Sequence, residues 1–417
     1  MTVSRAALVA ALALGGFAAA AASAQSPSPQ ASTMQPVRAL SLAREERGPI
    51  SALQTATASP DRAGQDRALA AARAAARTPA GRYAVGYFQL EIGRARSDQA
   101  MQGQAIDLMI ESGQATPEEM GGLLANQASR ALSAGDLRRT DRLLARVVEL
   151  QPENAAAMAD QAELKARMGE PGNAVILLHR AVSTAQAAGR PAPESWHLRG
   201  LSLAFDGRLA PQGIALARFL VTNYPSAVNW RDALLAYREL SPPDPTLALD
   251  VHRLARATQG LGGERDYVEY AEAARAAGLI GEAKAVLDDG LQRGMIETAR
   301  VPAPLTAATA ARAVTAERGR LAGQRTAALA PAGTGRQARE AGDLHFGHGQ
   351  YAEAAELYRA ALQKGGEDPN LVNGRLGAAL ALAGRRPEAE AALRAVAGPR
   401  ADLAGFWLVW LARRPVA

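Results

Sequence analysis

The stretch Gly342–Leu362 reads GDLHFGHGQYAEAAELYRAAL and holds two of the chain's five histidines, three residues apart. His345 and His348 could open a metal site, but a zinc site needs three or four ligands in convergent geometry. The chain has no cysteine, and the other histidines lie far away in sequence. The other interpretation is that this stretch is one unit of a repeat. If the stretch recurs along the chain, the repeat determines the fold.

Pairs of small residues seven positions apart recur along the chain. The glycine pairs are Gly200 with Gly207, Gly342 with Gly349, and Gly377 with Gly384. With alanine at the first place, the further pairs are Ala128 with Gly135, Ala162 with Gly169, and Ala271 with Gly278. Where units follow each other directly, they repeat at intervals of 34 to 38 residues. The stretch is therefore one member of a repeated series.

The spacing predicts a helical hairpin in each unit. A small residue within a helix allows a neighbouring helix to approach closely. A glycine seven residues later suits the end of that helix, because glycine adopts positive φ without strain. A large apolar residue follows nine residues after the second glycine in every unit. One hairpin cannot bury its apolar face alone, so the units must stack.

The composition agrees with helices. Apolar residues make up 48% of the chain and aromatic residues only 4%. The apolar residues are mostly Ala and Leu, which favour helices, whereas the aromatic and β-branched residues typical of strands are scarce.

The repeated unit resembles the tetratricopeptide repeat, a helix-turn-helix of about 34 residues. The residues that follow the family pattern are Trp196, Gly200, Leu203, Gly207, Leu216 and Phe219 in one unit, Gly349, Tyr351, Ala354, Tyr358, Ala361 and Leu362 in another, and Leu376, Gly377, Leu380, Gly384, Ala389 and Leu393 in a third. The resemblance covers Glu118–Ala299 and Gly335–Arg400. It implies an all-α fold: a right-handed α-solenoid of about eight or nine hairpins with a disordered N-terminal segment.

Composition shifts divide the chain into five parts. Residues 1–24 are predicted to be a signal peptide, and 25–60, rich in Ser, Pro, Gln and Ala, a disordered linker. Residues 61–299 are predicted to form the main repeat array, although 61–112 fit the pattern less well. Residues 300–334 are expected to be a divergent helical segment or a hinge. Residues 335–417 are expected to hold further repeats and a capping helix.

The N-terminus predicts a periplasmic or secreted protein. A short apolar run is followed by Ala22-Ser23-Ala24, which fits the small-x-small cleavage pattern of a secretory signal. The alternative is an uncleaved anchor helix, which the short apolar run with Gly15 and Gly16 makes less favourable. No cysteine follows the signal that could carry a lipid.

Charge and motifs argue against enzymes and nucleic-acid binders. The net charge of +6 is carried by arginines that alternate with glutamates rather than cluster, which is typical of solvated helix faces. The glycine-rich stretch 260–263 lacks the Lys-Ser/Thr of a phosphate loop. No nucleophile, metal or cofactor pattern stands out, so we expect no catalytic residues, no metal and no cofactor.

In the tetratricopeptide family, the first helix of each unit lines a concave groove. Carried over by position, the groove residues would be His197, Leu201, Arg231, Leu235, Arg238, Arg265, Glu272, Arg275, Arg336, Arg339 and Asp343. The Lys, Asn, Asn, Lys, Arg set with which some members hold a C-terminal carboxylate is absent. One hypothesis is that Arg231, Arg238 and Arg275 bind acidic segments of a partner. The alternative is that these arginines are simply solvated.

The C-terminal sequence ADLAGFWLVWLARRPVA concentrates aromatic residues. Leu403, Phe406 or Trp407, and Trp410 fall on one helical face. Repeat arrays need a terminal helix that covers the open end, and this is the first interpretation. The second is that some aromatic area remains for a protein partner or a membrane surface.

Together these features predict a non-catalytic periplasmic scaffold or adaptor that holds a protein partner of the cell envelope in its groove. The alternative function is an accessory subunit of an envelope polysaccharide biosynthesis, export or secretion assembly.

Overall fold

The computed structural model describes residues 40–242, 244–297 and 307–414. Within these ranges every regular element is a helix. The chain divides into two compact units, unit 1 over Met1–Ala192 and unit 2 over Pro193–Ala417. The signal peptide predicted over 1–24 lies outside the described residues.

Unit 1 contains eight helices in its described part. They are α1 Arg44–Thr57, α2 Arg62–Ala75, α3 Pro79–Ala95, α4 Gln99–Ser112, α5 Pro117–Ser133, α6 Leu137–Leu150, α7 Ala155–Arg167 and α8 Pro171–Ala187. Consecutive helices pack as the hairpins α1/α2, α3/α4, α5/α6 and α7/α8. Side-chain caps mark most hairpin starts; Thr78 and Thr116, for example, accept hydrogen bonds from backbone N–H groups of the first turn.

The predicted disordered linker over 25–60 is wrong for its last part, because 44–57 form α1. Ile50 and Leu53 of α1 are buried against Leu69 and Phe88. Because the residues around Ile50 and Leu53 are mostly polar, the composition of this segment predicted disorder. The burial of these two side chains offsets the entropy cost of ordering the helix.

Glu46 joins α1 to the start of α3. Its carboxylate accepts hydrogen bonds at 2.7 Å from the backbone N–H groups of Arg77 and Thr78. Burial raises the pKa of Glu46, but the hydrogen bonds from Thr78, Arg77 and Ala43 outweigh burial, and the pKa lies below its ordinary value.

The hairpin α3/α4 is a closely packed unit, although its sequence fits the repeat pattern poorly. A Cβ atom added at Gly86 would lie 2.7 Å from Met109 Cγ, and one at Gly93 would lie 3.0 Å from Gln102 Cγ. These two glycines are also seven residues apart. The same spacing that identified the other units was therefore present here, and both glycines mark close helix contacts.

Unit 2 contains twelve helices in its described part and a short 3₁₀ turn. The helices are α9 Glu194–Gly207, α10 Ala210–Asn223, α11 Ala227–Leu240, α12 Pro245–Ala257, α13 Glu264–Ala276, α14 Ile280–Gln292, α15 Ala307–Leu329, α16 Gly335–Gly347, α17 Tyr351–Lys364, α18 Pro369–Leu382, α19 Arg386–Arg394 and α20 Ala401–Ala412. The 3₁₀ turn Gly398–Arg400 precedes α20.

The glycine pairs in the later repeats of unit 2 act as the spacing predicts. Gly349 and Gly384 end their first helices with φ of +75° and +78°, in the left-handed region. A Cβ atom at Gly342 would lie 2.7 Å from the Tyr358 ring, and one at Gly377 would lie 2.5 Å from Leu393 Cγ. The first glycine of each pair thus permits close approach and the second permits the turn.

The pair Gly200 and Gly207 follows the prediction only in part. Gly200 is buried within α9, as a close helix contact requires. Gly207, however, is the last residue of α9, and the left-handed conformation falls on Arg208, with φ of +51°. The turn has moved one residue along the chain.

Most of the segment 300–334 is the single helix α15, which packs against α14 and α16. Its buried Glu317 accepts hydrogen bonds at 3.1 Å from the N–H groups of Ile280 and Gly281, the first two residues of α14. The same carboxylate lies 2.8 Å from His348 Nε2. Glu317 therefore caps α14 and attaches α15 to its neighbours.

The described residues thus form a tetratricopeptide-like fold of consecutively packed helical hairpins. Among the helices within 40–242, 244–297 and 307–414, none has both the length and the apolar character needed to cross a bilayer.

The glycine contacts generate a matched pair of substitutions on α18. Gly377→Ala should lower the free energy of unfolding by about 1–3 kcal/mol, because the new methyl group would overlap Leu393. Gly374→Ala should instead raise it by about 0.5–1 kcal/mol, because no atom lies within 4 Å of its added Cβ and alanine favours the helix. Urea unfolding of both variants measures the two effects. Equal shifts in the same direction would contradict the proposed helix contact.

Candidate partner-binding site

Two residues predicted to line the groove are core residues instead. His197 and Leu201 on α9 are completely buried. The His197 ring meets the Tyr224 ring edge-on, with centroids 5.9 Å apart. The carried-over register places them on the groove side, whereas in this chain that side of α9 is packed, so neither residue can contact a partner.

Five other predicted groove residues lie on the surface of two neighbouring helices of unit 2. Arg231 and Arg238 on α11 form ion pairs at 2.9 Å with Asp266 and Glu269 of α13. We call this surface the charged face; its members are Arg231, Arg238, Arg265, Asp266, Glu269, Glu272 and Arg275. Within α13, Arg275 pairs with Glu272 at 2.7 Å and Arg265 with Glu269 at 2.6 Å.

The charged face is balanced rather than basic. The side chains of Arg231 and Arg275 are 42% and 41% exposed, yet both are already paired with carboxylates. An acidic partner would have to compete with these internal pairs, and exposed pairs contribute little to stability. Leu235, also predicted for the groove, is half-buried on α11.

The predicted groove residues of α16 divide between surface and interior. Arg336 is exposed and pairs with Glu340 at 2.9 Å. Arg339 and Asp343 are instead part of an ion network inside unit 2, and Asp343 is only 6% exposed. These two were predicted as partner contacts, and the structure uses them to join helices.

The ion network links α12, α14, α16 and α18. Its members are Asp250, Arg253, Glu282, Arg339, Asp343, Arg375 and Arg400. Arg253 donates two hydrogen bonds of 2.8 Å to the two oxygens of Glu282. Arg375 donates to both oxygens of Asp343, at 2.9 and 2.8 Å, and to Asp250 at 2.9 Å. In the Arg253–Glu282 pair two guanidinium nitrogens meet the two carboxylate oxygens, and such a pair fixes the orientation of the helices that carry it.

Aromatic side chains complete the network. Tyr270 and Tyr358 donate hydrogen bonds to Glu282 and Asp343, at 2.7 and 2.8 Å. The guanidinium of Arg253 also lies 4.3 Å from the centre of the Phe346 ring. Arg253, Glu282 and Asp343 therefore have an opposite charge and a further polar or aromatic contact, as burial of ions requires.

The pKa shifts follow from this arrangement. Burial raises the pKa of Asp343, but Arg375 and Arg253 outweigh it and lower the pKa below its ordinary value. Burial opposes the charge of Arg253, yet Glu282 raises the pKa of Arg253 well above its usual range. Both shifts favour the charged forms, so Asp343 and Arg253 are ionised at neutral pH.

The C-terminal helix α20 packs against the beginning of unit 2. Phe406 meets the rings of Trp230 and Tyr237 edge-on, with centroids 6.3 and 5.6 Å away. Just before α20, Arg400 donates hydrogen bonds of 2.9 Å to Asp244 and Asp250. We call the surface formed by Trp230, Tyr237, Asp244 and Asp250 the α20 seat.

The predicted aromatic face of α20 is largely covered by this packing. Leu403, Phe406, Trp407 and Leu411 are buried, and Trp410 is half-buried beneath Arg414. A membrane contact through this face, one of the two interpretations of the sequence, would require α20 to leave its seat.

A small cleft opens between α12, α16, α18 and α20. It measures about 370 Å³ out to its mouth, and its lining includes Arg253, Phe346, Gly374, Arg375, Arg400 and Trp407. Three guanidinium groups of the ion network therefore border it. Each of these guanidinium groups is already paired with a carboxylate of the protein. The cleft is therefore a gap in the packing between α20 and the other helices of unit 2.

The histidine pair of the opening stretch has a structural role. His345 is buried on α16, with Nε2 3.4 Å from the carbonyl oxygen of Leu321, and His348 lies against Glu317. No group of three or more His, Asp or Glu side chains that could hold a metal ion occurs within the described residues. The two histidines connect α16 to α15.

Sequence reasoning missed the α20 seat and the centre of the ion network. Asp250 and Arg253 lie one turn apart on α12, but Arg375 lies on α18, and no spacing in the sequence connects the two helices. One signal was available: the run VHRLAR on α12 places Arg253 beside Val251 and Leu254, within an apolar stretch. An arginine flanked by core residues indicates a buried partner.

The ion network predicts that the loss of a single buried charge strongly lowers the stability of the protein. Asp343→Asn should lower the free energy of unfolding by about 3–5 kcal/mol, because Arg375 and Arg253 would lose a buried counter-charge. Asp402→Asn is the control: it breaks an exposed pair with Arg218 and should cost at most about 1 kcal/mol. Urea unfolding at pH 7 measures both, and similar small losses would show that Asp343 is not an essential counter-charge.

His252 predicts a pH dependence of stability. Burial, with help from Arg238, lowers its pKa to about 4, although Glu269 and Asp266 oppose the shift. Between about pH 6.5 and pH 4 the unfolded chain binds a proton that the folded chain does not, so stability falls as the pH falls through this window. The loss approaches about 3 kcal/mol.

His252→Phe should remove that part of the pH dependence, because phenylalanine keeps the stacking on Tyr270 without a titrating group. Thermal unfolding of both proteins from pH 7 to pH 4 makes the comparison. Parallel curves for the two proteins would rule out the contribution of His252.

Comparisons with known proteins do not assign the chain to a family. No protein-family profile and no curated protein matches it. Among the solved structures that match is that of Naa15/Naa10 bound to HypK-THB, which covers 85% of this chain with 11% identity and a TM-score of 0.28. The match spans 65% of the other chain's length. At that TM-score the likeness carries no argument about fold or function.

Proposed function

We propose that the protein is a non-catalytic scaffold that binds protein partners through the charged face of unit 2. The observation that carries this proposal is the position of that face on α11 and α13. These are the first helices of two consecutive hairpins, and side chains between them meet in partly exposed ion pairs, Arg231 with Asp266 and Arg238 with Glu269. Hairpin arrays present such rows of side chains as extended binding surfaces.

The chemistry of the charged face defines the partner. Because arginines and carboxylates alternate, the face suits a polar segment that carries both charges, not a purely acidic one. Planar guanidinium groups exchange one carboxylate for another at low cost when the pair is exposed. The partner can therefore replace internal pairs with intermolecular pairs. Electrostatic complementarity of this kind supplies specificity more than affinity.

The location is part of the same proposal. The predicted signal over 1–24 favours export, so the partner is expected in the cell envelope.

Photo-crosslinking in living cells tests the proposed surface. A photoreactive residue replaces Leu235, next to the charged face, and captured proteins are identified by mass spectrometry. Combining it with Arg231→Glu, Arg238→Glu and Arg275→Glu should reduce capture at least about tenfold, because like charges would then face each other across the interface. Unchanged capture would contradict a role for the charged face.

The matched control is Arg138→Glu, Arg142→Glu and Arg146→Glu on α6. These three arginines are exposed, and the triple change alters the net charge by the same amount. Capture by this variant should equal that of the unsubstituted protein. An equal loss in both triple variants would indicate a general charge effect and would also contradict the proposed site.

A further inference from the structure

Helix α20 combines near and far contacts. It packs against its neighbour along the chain, α19, to which the 3₁₀ turn Gly398–Arg400 joins it, and also against α10 and α18. Asp402 pairs with Arg218 at a separation of 184 residues, and the carbonyl oxygen of Pro399 accepts from Tyr237 at a separation of 162. These far contacts seat α20 against the array in the way that a helical ligand docks in a groove.

The seat is built by helices that have their own partners. Helix α11 packs against α10, and α12 packs against both α11 and α13. Asp250 also pairs with Arg375 at 2.9 Å, so Arg400 is not its sole counter-charge. The seat can therefore persist as a surface when α20 leaves it.

A vacated seat has a defined chemistry. Trp230 and Tyr237 would be uncovered, and Asp244 would lose its ion pair with Arg400. The seat would then combine an aromatic floor with carboxylates at one end, and an occupant must bring a cation together with aromatic side chains. In this chain these are Arg400, directly before α20, and Phe406 and Trp407 within α20, which follow Arg400 by six and seven residues.

We propose that the α20 seat is an exchangeable binding site for a helical protein segment, with α20 as its resident, autoinhibitory occupant. The partner is a helix with a basic residue at its N-terminal end and two aromatic residues about two turns later. This goes beyond the charged face, which lies on another side of α11: Trp230 and Arg231 are neighbours in sequence and therefore point about 100° apart.

A partner helix must compete with α20 for the seat, and this competition sets the affinity that the partner needs. A tethered helix acts at an effective concentration of the order of millimolar, so α20 excludes weak ligands and yields to strong ones. Any change that weakens α20 in its seat without altering the seat itself should admit a partner helix. Arg400 is the residue at which that change can be made, because it lies on α20's side of the contact.

The experiment uses the full-length protein and a fluorescent peptide of residues 398–414, GPRADLAGFWLVWLARR. Arg400→Glu in the protein places a carboxylate against Asp244 and Asp250, so α20 should leave its seat. The peptide should then bind this variant at least about tenfold more tightly than the unsubstituted protein, as measured by fluorescence anisotropy. A peptide carrying the same Arg400→Glu change should not bind.

The matched control is Arg394→Glu, an exposed charge reversal on α19 that lies outside the seat. It should bind the peptide as weakly as the unsubstituted protein does. A folded Arg400→Glu variant that binds the peptide no better than this control would overturn the proposal.

Hydrogen exchange on the unsubstituted protein gives a second measurement that does not depend on a variant. Backbone amides of α20 should exchange at least about tenfold faster than those of α11 and α18, because α20 can be released without global unfolding. Equal rates in the three helices would overturn the proposal. Partner capture at the charged face is read separately, so either proposal can fail while the other stands.

Discussion

Close approach between paired helices is the constraint on which the rest of this structure depends. Two helices can pack backbone against side chain only where one of them lacks a side chain of any size, and the chain supplies such positions at Gly86, Gly342 and Gly377. Each close contact makes a compact hairpin, and each hairpin leaves an apolar face that only the next hairpin can cover. The stacking, and with it the rows of side chains on successive first helices, follows from that contact.

Unit 2 adds a second kind of interaction to this packing. Buried arginine–carboxylate pairs centred on Asp250 and Asp343 connect helices that are distant in sequence. Asp250, for example, forms ion pairs with both Arg375 and Arg400. Ion pairs are less favourable than apolar contacts when buried, but they require one geometry. The network therefore fixes where α12, α16 and α18 meet, and it offers α20 a carboxylate at the end of its seat.

The two surfaces proposed for binding lie on different sides of the same helix, α11. On one side of α11, exposed ion pairs with α13 remain available for exchange with a partner. On another side, Trp230 and Tyr237 hold α20. On the two proposals together, a polar segment would bind directly, and a helical segment only after α20 has been displaced.

The sequence by itself determined the hairpins, because their contacts are local: the two glycines of a pair and the apolar residue nine positions later all lie within one unit. It did not identify α1, whose two buried residues stand in a polar segment, and it placed His197, Arg339 and Asp343 on a binding surface by position alone. Only the tertiary structure decided these residues' roles, the ion network and the α20 seat. Their partners lie up to 191 residues away, and no local spacing encodes contacts between units of a repeat that resemble each other.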